Sequence, residues 1–485
     1  MNKVEKLLNK HGPMLSGDLA RKYESTYGVS NEAARKAISR AKTPIKKLYK
    51  FKFDKNQLFY YLESQYMSEK YKKALLNAIK QHSKVIYTYI QAFISQNGYI
   101  SKKILPAFIG APIGKIKGHK KHSDILQNLI DTEIILEFSE ERYSLNPTFY
   151  DAGNLNHSIG LEIAKKIIIN DFSRWAREIN LVAFEKGEGL FDAPKFAQFQ
   201  WAYTAPSYIQ PLYSYKSEQP GFVIADVFFG KVATVESLHF FIEKLNIIRS
   251  FKNVKSFLPV LLVEKIDPEA LTLLKKNKVM VAILNNFFTE KYTDLLNDLV
   301  NIFTNATSII NKNPDALYSL FDKIEKSEGR YNDMSGDMFE LLVGSHYSYI
   351  GCSYLKSKKD IYDKNGKHKE LDWLIEKEGT TIVVECKATR SKIDENFIMK
   401  WLNENIPFTR SWLLENNRTQ KIEFQLWSVG GFTTEALGLL QKAESETQKY
   451  SIKHFDKQQM MDMARDKNDT NFIQIMNNHF FKTIV

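Results

Sequence analysis

The chain has 485 residues, too many for one hydrophobic core, so roughly three or four domains are expected. Its 44% hydrophobic and 26% charged content is that of an ordinary globular protein. No apolar run nears the ~18–20 residues of a membrane span, and the first residues lack a charged, apolar, small-residue secretory pattern, so no membrane partner is expected. Only two cysteines occur, Cys352 and Cys386, and neither has a metal-ligand spacing. That excludes a disulfide framework and a structural zinc site, and points to a reducing cytoplasm.

The net charge of +12 is concentrated at one end. Residues 1–150 carry 26 Lys and Arg against 13 Asp and Glu, and the rest is close to neutral. A basic third joined to a neutral remainder suggests a nucleic-acid-binding part attached to something else. A membrane-surface patch would need a basic helix with a lipid-facing stripe, and none is seen.

Residues 1–66 read as three helices and a hairpin. Val4–Asn9 has helical spacing and ends near Gly12-Pro13; Ser16 caps a helix to about Tyr27, broken at Gly28. Ser30 caps a third helix, Asn31–Ala41, bearing Arg35, Lys36 and Arg40. Lys47, Lys50 and Lys52 alternate with apolar residues as in a half-buried strand, and Gln57–Glu63 returns after the turn Asp54-Lys55-Asn56. This order resembles a winged helix-turn-helix whose third helix would enter a major groove of duplex DNA. The competing reading is a small basic packing or protein-docking domain.

Residues 67–150 repeat the theme as a second winged-helix-like module. Helices are expected over Glu69–Gln81, Val85–Gln96 and Ser123–Asp131, with a hairpin from Ile134–Phe138 and Arg142–Leu145. The loop Gly110–Lys115 is one residue short of a phosphate-binding loop and lacks Ser or Thr after the lysine, so that reading fails. His119-Lys120-Lys121-His122 has no thiol or acidic partners for a metal; Lys120 and Lys121 fit a solvated loop touching phosphate.

The most informative stretch is Gly336–Ala388. A helix carrying Glu340 precedes a strand at Cys352–Lys356, a strand Glu370–Ile375 with Asp372, a turn at Glu378-Gly379, and the apolar strand Thr381–Ala388. Alternation puts Val383, Glu385 and Lys387 on one face, and antiparallel pairing brings Asp372 alongside. Hard oxygen ligands such as Asp372 and Glu385 can hold Mg²⁺ beside a scissile phosphate, while Lys387 neutralises developing charge. Glu340 could complete the ligand set directly or through water. A buried salt bridge on a structural hairpin is the competing reading, though such burial without function would be costly.

The succession Glu340, Glu370-Leu371-Asp372 and Val384-Glu385-Cys386-Lys387 resembles the PD-(D/E)xK, or restriction-endonuclease-like, superfamily over roughly residues 330–485. It departs in having Glu-Leu rather than proline before the Asp. The resemblance implies an α/β sandwich and a catalytic set of Glu340, Asp372, Glu385 and Lys387. Glu340, Asp372 and Glu385 would be the metal ligands, with Mg²⁺ as cofactor and Mn²⁺ able to substitute. Following helices at Asp394–Asn416 and Thr434–Glu444 and strands at Ile422–Val429 and Tyr450–Phe455 suit that sandwich.

A degenerate copy of this domain is expected over about 155–325. Gly160–Ile163 opens a long helix, Phe196–Tyr203 and Tyr208–Tyr213 are candidate strands, and Gly221–Phe228 matches Ile382–Lys387. Asp226 then stands where Glu385 does and Phe228 where Lys387 does. Any α/β domain would alternate similarly, which is the competing view.

The expected whole is an α/β multidomain protein: modules at 1–66 and 67–150, a central α/β domain at 155–325 and a nuclease domain at 326–485. The architecture resembles bacterial restriction and anti-phage defence nucleases. Double-strand cutting would require a homodimer or two visits; Asn471–Val485 is a candidate partner-facing helix, though packing on its own domain is the favoured reading. Alternatives are a nuclease subunit activated by a defence-system partner, and a non-enzymatic DNA-binding regulator on a nuclease scaffold.

Overall fold

Asn2 starts the first helix, α1 (Lys3–His11), through a reciprocal cap: its side chain accepts from Val4 N, and its own N–H donates to Glu5. In the computed structural model the described residues are 2–149, 153–184, 186–214, 218–305, 308, 335–364, 366–416, 418 and 421–481. The chain divides into two compact units, Met1–Leu161 with Ile168–Glu290, and Lys291–Val485 with the helical turn Glu162–Ile167. The fold is mixed α/β with several separate sheets. Among the described residues, no helix is long and apolar enough to cross a membrane.

In the first unit, α1 leads through a two-residue strand, β1 (Met14–Leu15), to α2 (Ser16–Tyr27) and α3 (Asn31–Ser39), then to β2 (Ile45–Phe53) and β3 (Gln57–Leu62). The sheet order is β1-β3-β2, and Val4, Leu8, Leu19, Ala34, Ile38 and Tyr60 share one core. The expected helix-helix-helix-hairpin succession is present. Strand β1 was not foreseen, because two residues show no alternation. Ser16 begins α2 rather than capping it, and its hydroxyl accepts from Leu58 N on β3.

The same plan recurs. Helices α4 (Glu69–His82) and α5 (Lys84–Ser95) precede β4 (Tyr99–Ser101), α6 (His122–Asp131), β5 (Ile135–Glu137) and β6 (Arg142–Leu145), in the order β4-β6-β5. A 3₁₀ turn, Leu105–Phe108, takes the place of the middle helix. The loop after it is packed: Gly110 N donates to the buried Thr88 hydroxyl, so it presents no phosphate cradle there.

Helix α7 (Leu155–Glu178) precedes a four-stranded sheet of β9 (Tyr203–Ser207), β10 (Gly221–Ala233), β11 (Phe257–Ile266) and β12 (Met280–Ile283), after a small hairpin of β7 (Lys195–Phe196) and β8 (Phe199–Gln200). Helices α8 (His239–Arg249) and α9 (Pro268–Lys276) make the crossovers; the short α10 (Leu284–Phe287) follows. Strand β10 pairs antiparallel with β9 and parallel with β11, which pairs parallel with β12. The segment Tyr208–Tyr213 is not a strand; Tyr203–Ser207 takes the edge position instead, where Pro206 needs no ladder donor.

The second unit contains α11 (Tyr292–Thr304), α12 (Ser335–Tyr349) and a five-stranded sheet: β13 (Tyr354–Tyr362), β14 (His368–Lys377), β15 (Thr380–Lys387), β16 (Lys421–Ser428) and β17 (Ser451–Phe455). The first two pairings are antiparallel and the last two parallel. Glu378 and Gly379, both at positive φ, make the two-residue turn that fixes the β14–β15 register. The helix expected over 394–416 is two, α13 (Glu395–Lys400) and α14 (Ile406–Glu415), joined by a wide turn at Trp401–Asn405. Pro407 cannot donate to an α-type bond there. Helices α15 (Thr434–Glu446), α16 (Lys457–Asp466) and α17 (Thr470–Ile475) complete the unit. Phe472, Ile475, Met476 and Phe480 are buried, with the Phe480 ring 5.4 Å from Phe339. The candidate partner-facing segment therefore packs on its own domain; residues 482–485 lie outside the described ones. The expected boundary at 325–326 also falls outside them.

Candidate active site

Strands β14 and β15 pair as far as Trp373 and Val384, and the next residue on each is Asp372 and Glu385. Beyond that last pair the ladder opens, and the freed Cys386 N–H donates to Asp372 Oδ2 at 2.7 Å. Lys387 Nζ lies 2.8 Å from Glu385 Oε1 and 5.5 Å from the Phe397 ring centroid of α13. Glu340 is brought in by α12, which Trp373 anchors by donating its indole N–H to Glu340 O at 2.7 Å. That contact needs Gly344: a Cβ there would lie 2.1 Å from the Trp373 ring.

The sequence-predicted residues thus come from three elements to one end of the sheet. Glu385 and Lys387 meet directly, and the charges of Glu340, Glu385 and Lys387 are felt at Asp372. Burial first, then the charges of Glu340 and Glu385, push the Asp372 carboxyl well above the usual carboxylate range. Burial also acts upward on Glu385, but Lys387 and Lys369 outweigh it and hold Glu385 below its ordinary value. Burial acts downward on Lys387, yet Glu385 and Asp372 prevail and hold its proton more tightly. Cys386 is buried and its thiol is pushed well up, first by burial and then by Asp372 and Glu340. That describes a packed thiol.

Two lysines were not foreseen. Lys358 Nζ lies 3.0 Å from Glu340 Oε2, and Lys369 Nζ lies 3.7 Å from Glu385 Oε2. Burial is the main cause that lowers the Lys369 pKa. Both belong to a lysine-rich hairpin, where sequence alone does not distinguish them from solvated neighbours. Among the described residues, no three His, Cys, Asp or Glu side chains converge as a ready metal cage. Lysines hold Glu340 and Glu385, while Asp372 faces a backbone donor.

The basic residues singled out in the first unit have different fates. Arg35, Lys36 and Arg40 are exposed on or just after α3, with Lys36 ion-paired to Glu32. Lys47 donates to Ser39 O and lies over the Tyr60 ring. Lys50 reaches Asp131 of α6 at 2.5 Å, a link between the two hairpin modules. The Lys52 side chain lies outside the described residues. Lys120 and Lys121 are exposed just before α6. His122 is fixed by a 2.9 Å contact between Nδ1 and the Tyr89 hydroxyl, and burial lowers its pKa to about 4.

No family model and no curated protein matches the chain. Among solved structures, the small subunit of the heterodimeric restriction endonuclease R.BspD6I is similar at 13% identity, over 33% of this chain and 88% of that one, with a TM-score of 0.21. A likeness that distant does not bear on function.

Proposed function

We propose that the second unit is a metal-dependent nuclease that hydrolyses phosphodiester bonds, with Asp372, Glu385, Lys387 and Glu340 as its working groups. The observation that carries this reading is the opening of the β14–β15 ladder at Asp372 and Glu385, with Lys387 beside them. Three carboxylates and an ammonium come together at one sheet end, where burial first and then the charges of Glu340 and Glu385 push the Asp372 carboxyl upward.

The donor set fits Mg²⁺ or Mn²⁺, since carboxylate oxygens are the hard ligands such ions take. A divalent ion between Asp372, Glu385 and Glu340 would polarise a phosphoryl oxygen and acidify a bound water. Lys387 keeps its proton throughout and donates it as a hydrogen bond to a phosphate oxygen or to the attacking water. Phe397 shields one side of that ammonium, and the Cys386 N–H fixes one oxygen of the Asp372 carboxylate.

For the first unit, we read the α1–β3 module as a winged helix-turn-helix that binds duplex through phosphate contacts, with Arg35, Lys36 and Arg40 on the approaching helix. A restriction or defence nuclease acting as a homodimer fits this arrangement. We read the β9–β12 sheet as a catalytically silent counterpart of β14–β17, supported by the same sequence of pairing senses.

One observation favours a second reading, a nuclease that becomes active only when nucleic acid or a partner protein arrives. Lys358 holds Glu340, so completing the ligand set requires releasing that ion pair or bridging it with water. The test is nicking of supercoiled plasmid by the full chain in Mg²⁺, Mn²⁺ or chelator, beside Asp372→Asn. Metal-dependent nicking absent from the variant supports the nuclease; nicking by both equally would sink it.

A further inference from the structure

Tyr362 and Asp363 at the end of β13 and residues of α14 line a cavity of about 270 Å³ that the nuclease reading leaves unused. Its walls are aromatic: Tyr362 from the hairpin, Phe408 and Trp412 from α14. Phe408 and Trp412 rest against the core on one side, whereas Tyr362 is 49% exposed and held 4.9 Å from the His368 ring. Cations crowd the same place. Lys359 lies 5.9 Å from the Trp412 ring centroid, Lys367 lies 5.8 Å from that of Phe408, and Lys364 pairs with Glu415 at the rim. Asp363, Ser411 and Glu415 supply acceptors at the mouth.

Aromatic faces interleaved with lysines match one ligand chemistry, a nucleobase carried on a phosphate backbone. The aromatic walls stack the base, the lysines meet the flanking phosphates, and the acceptors take exocyclic amino protons. A base paired inside a duplex offers no free face to such a cavity, so the occupant is unpaired.

The cavity and the proposed site draw on the same β13–β14 hairpin. Ile361 and Leu371 belong to one core layer with Val383 and with Leu413 of α14. Alternation puts Glu385 and Lys387 on the face of Val383, and Lys369 on that of Leu371. Tyr362 pairs with His368 across the hairpin; the next residue, Lys369, is the one that reaches Glu385.

We propose that this cavity binds one unpaired nucleobase of the strand held at Asp372, Glu385 and Lys387, so that nucleic acid is engaged single-stranded or locally splayed. The proposal rests on the nuclease reading for its substrate, but base binding does not require cleavage. The experiment uses the full chain in chelator with single-stranded oligodeoxynucleotides carrying 2-aminopurine at successive positions. Stacking predicts quenching at one position and an affinity that Tyr362→Ala lowers roughly 5- to 100-fold. The variant should then bind an intact strand no better than the wild type binds one made abasic at that position. Quenching at no position, or equal wild-type affinity for intact and abasic strands, overturns the proposal without any variant. Cleavage in Mg²⁺ is read separately on the same preparations. Cleavage without quenching removes the base pocket alone; quenching without cleavage in any metal leaves the pocket standing and removes a nuclease that acts without a partner protein.

Discussion

The two larger sheets of this protein repeat one register and end it differently. In β9–β10 the last ladder pair is Tyr203 and Ala225, followed by Ala202 and Asp226; in β14–β15 it is Trp373 and Val384, followed by Asp372 and Glu385. On the parallel side, Asp226 faces Leu261 as Glu385 faces Leu426. Where the second sheet has Asp372, the first has an alanine whose N–H donates to Asp226 at 2.8 Å. Where the second has Lys387, the first has Phe228, and an ammonium arrives instead from α8. Lys244 Nζ meets Asp226 Oδ2 at 2.7 Å, Ala107 O at 2.6 Å and Gln200 O at 3.0 Å, so each of its three protons has an acceptor.

That pair is sealed, with both side chains 0% exposed, whereas Glu385 and Lys387 keep 16% and 32% exposure. The lesson is that one strand pairing yields a closed structural stitch or an accessible acidic site. The choice depends on where the cation originates and whether a second carboxylate joins the first.

The largest effect should come from breaking the closed pair. Asp226→Ala leaves the Lys244 ammonium buried without its counter-charge and should cost about 3–5 kcal/mol in denaturant unfolding. The double change Asp226→Leu with Lys244→Met should recover most of that loss. A double variant as unstable as the single one would mean that the ammonium, not the pair, organises this sheet.

The open site should behave oppositely. Lys387→Ala should lower metal-dependent plasmid nicking about 100- to 1000-fold while leaving unfolding nearly unchanged. Asp372→Asn should abolish nicking and, measured in chelator at neutral pH, raise Tm by a few degrees, at roughly 2–4 °C per kcal/mol for a unit this size. Asp372 is held above its unfolded value, so its charged form opposes folding as pH rises past that unfolded value, and the amide removes the penalty. A lower Tm would mean that the site is a stabilising ion-pair network like the other sheet.

A smaller effect concerns His122. Burial lowers its folded pKa to about 4 from an unfolded value near 6.5, so its contribution to stability is complete above pH 6.5. That contribution is lost as pH falls towards 4, at roughly 1.4 kcal/mol per unit of separation. Thermal melts at pH 7.5 and 5 should differ more for the wild type than for His122→Phe; equal differences would remove the histidine as the cause. Smallest of all, Arg35→Gln should weaken duplex binding uniformly across sequences and reduce the salt slope by about 1. A change in sequence preference instead would make Arg35 a base reader.

The sequence by itself determined the elements whose signal is local. The Ser30 cap, the alternation in Thr381–Lys387 and the turn at Glu378-Gly379 depend only on near neighbours, and each appears as read. Asp372, Glu385 and Lys387 were legible for the same reason, because a short turn and a period of two fix which residues meet. Only tertiary structure decided matters involving distant segments. It drew Lys358 and Lys369 onto the carboxylates and sent Lys50 to Asp131. It also brought Lys244, eighteen residues beyond Asp226, to fill a sheet end that the sequence showed only as lacking its lysine. An ammonium on a helix carries no mark of the carboxylate it will reach. That choice is made by packing across the sheet, where the cost of an unpaired buried charge selects the partner.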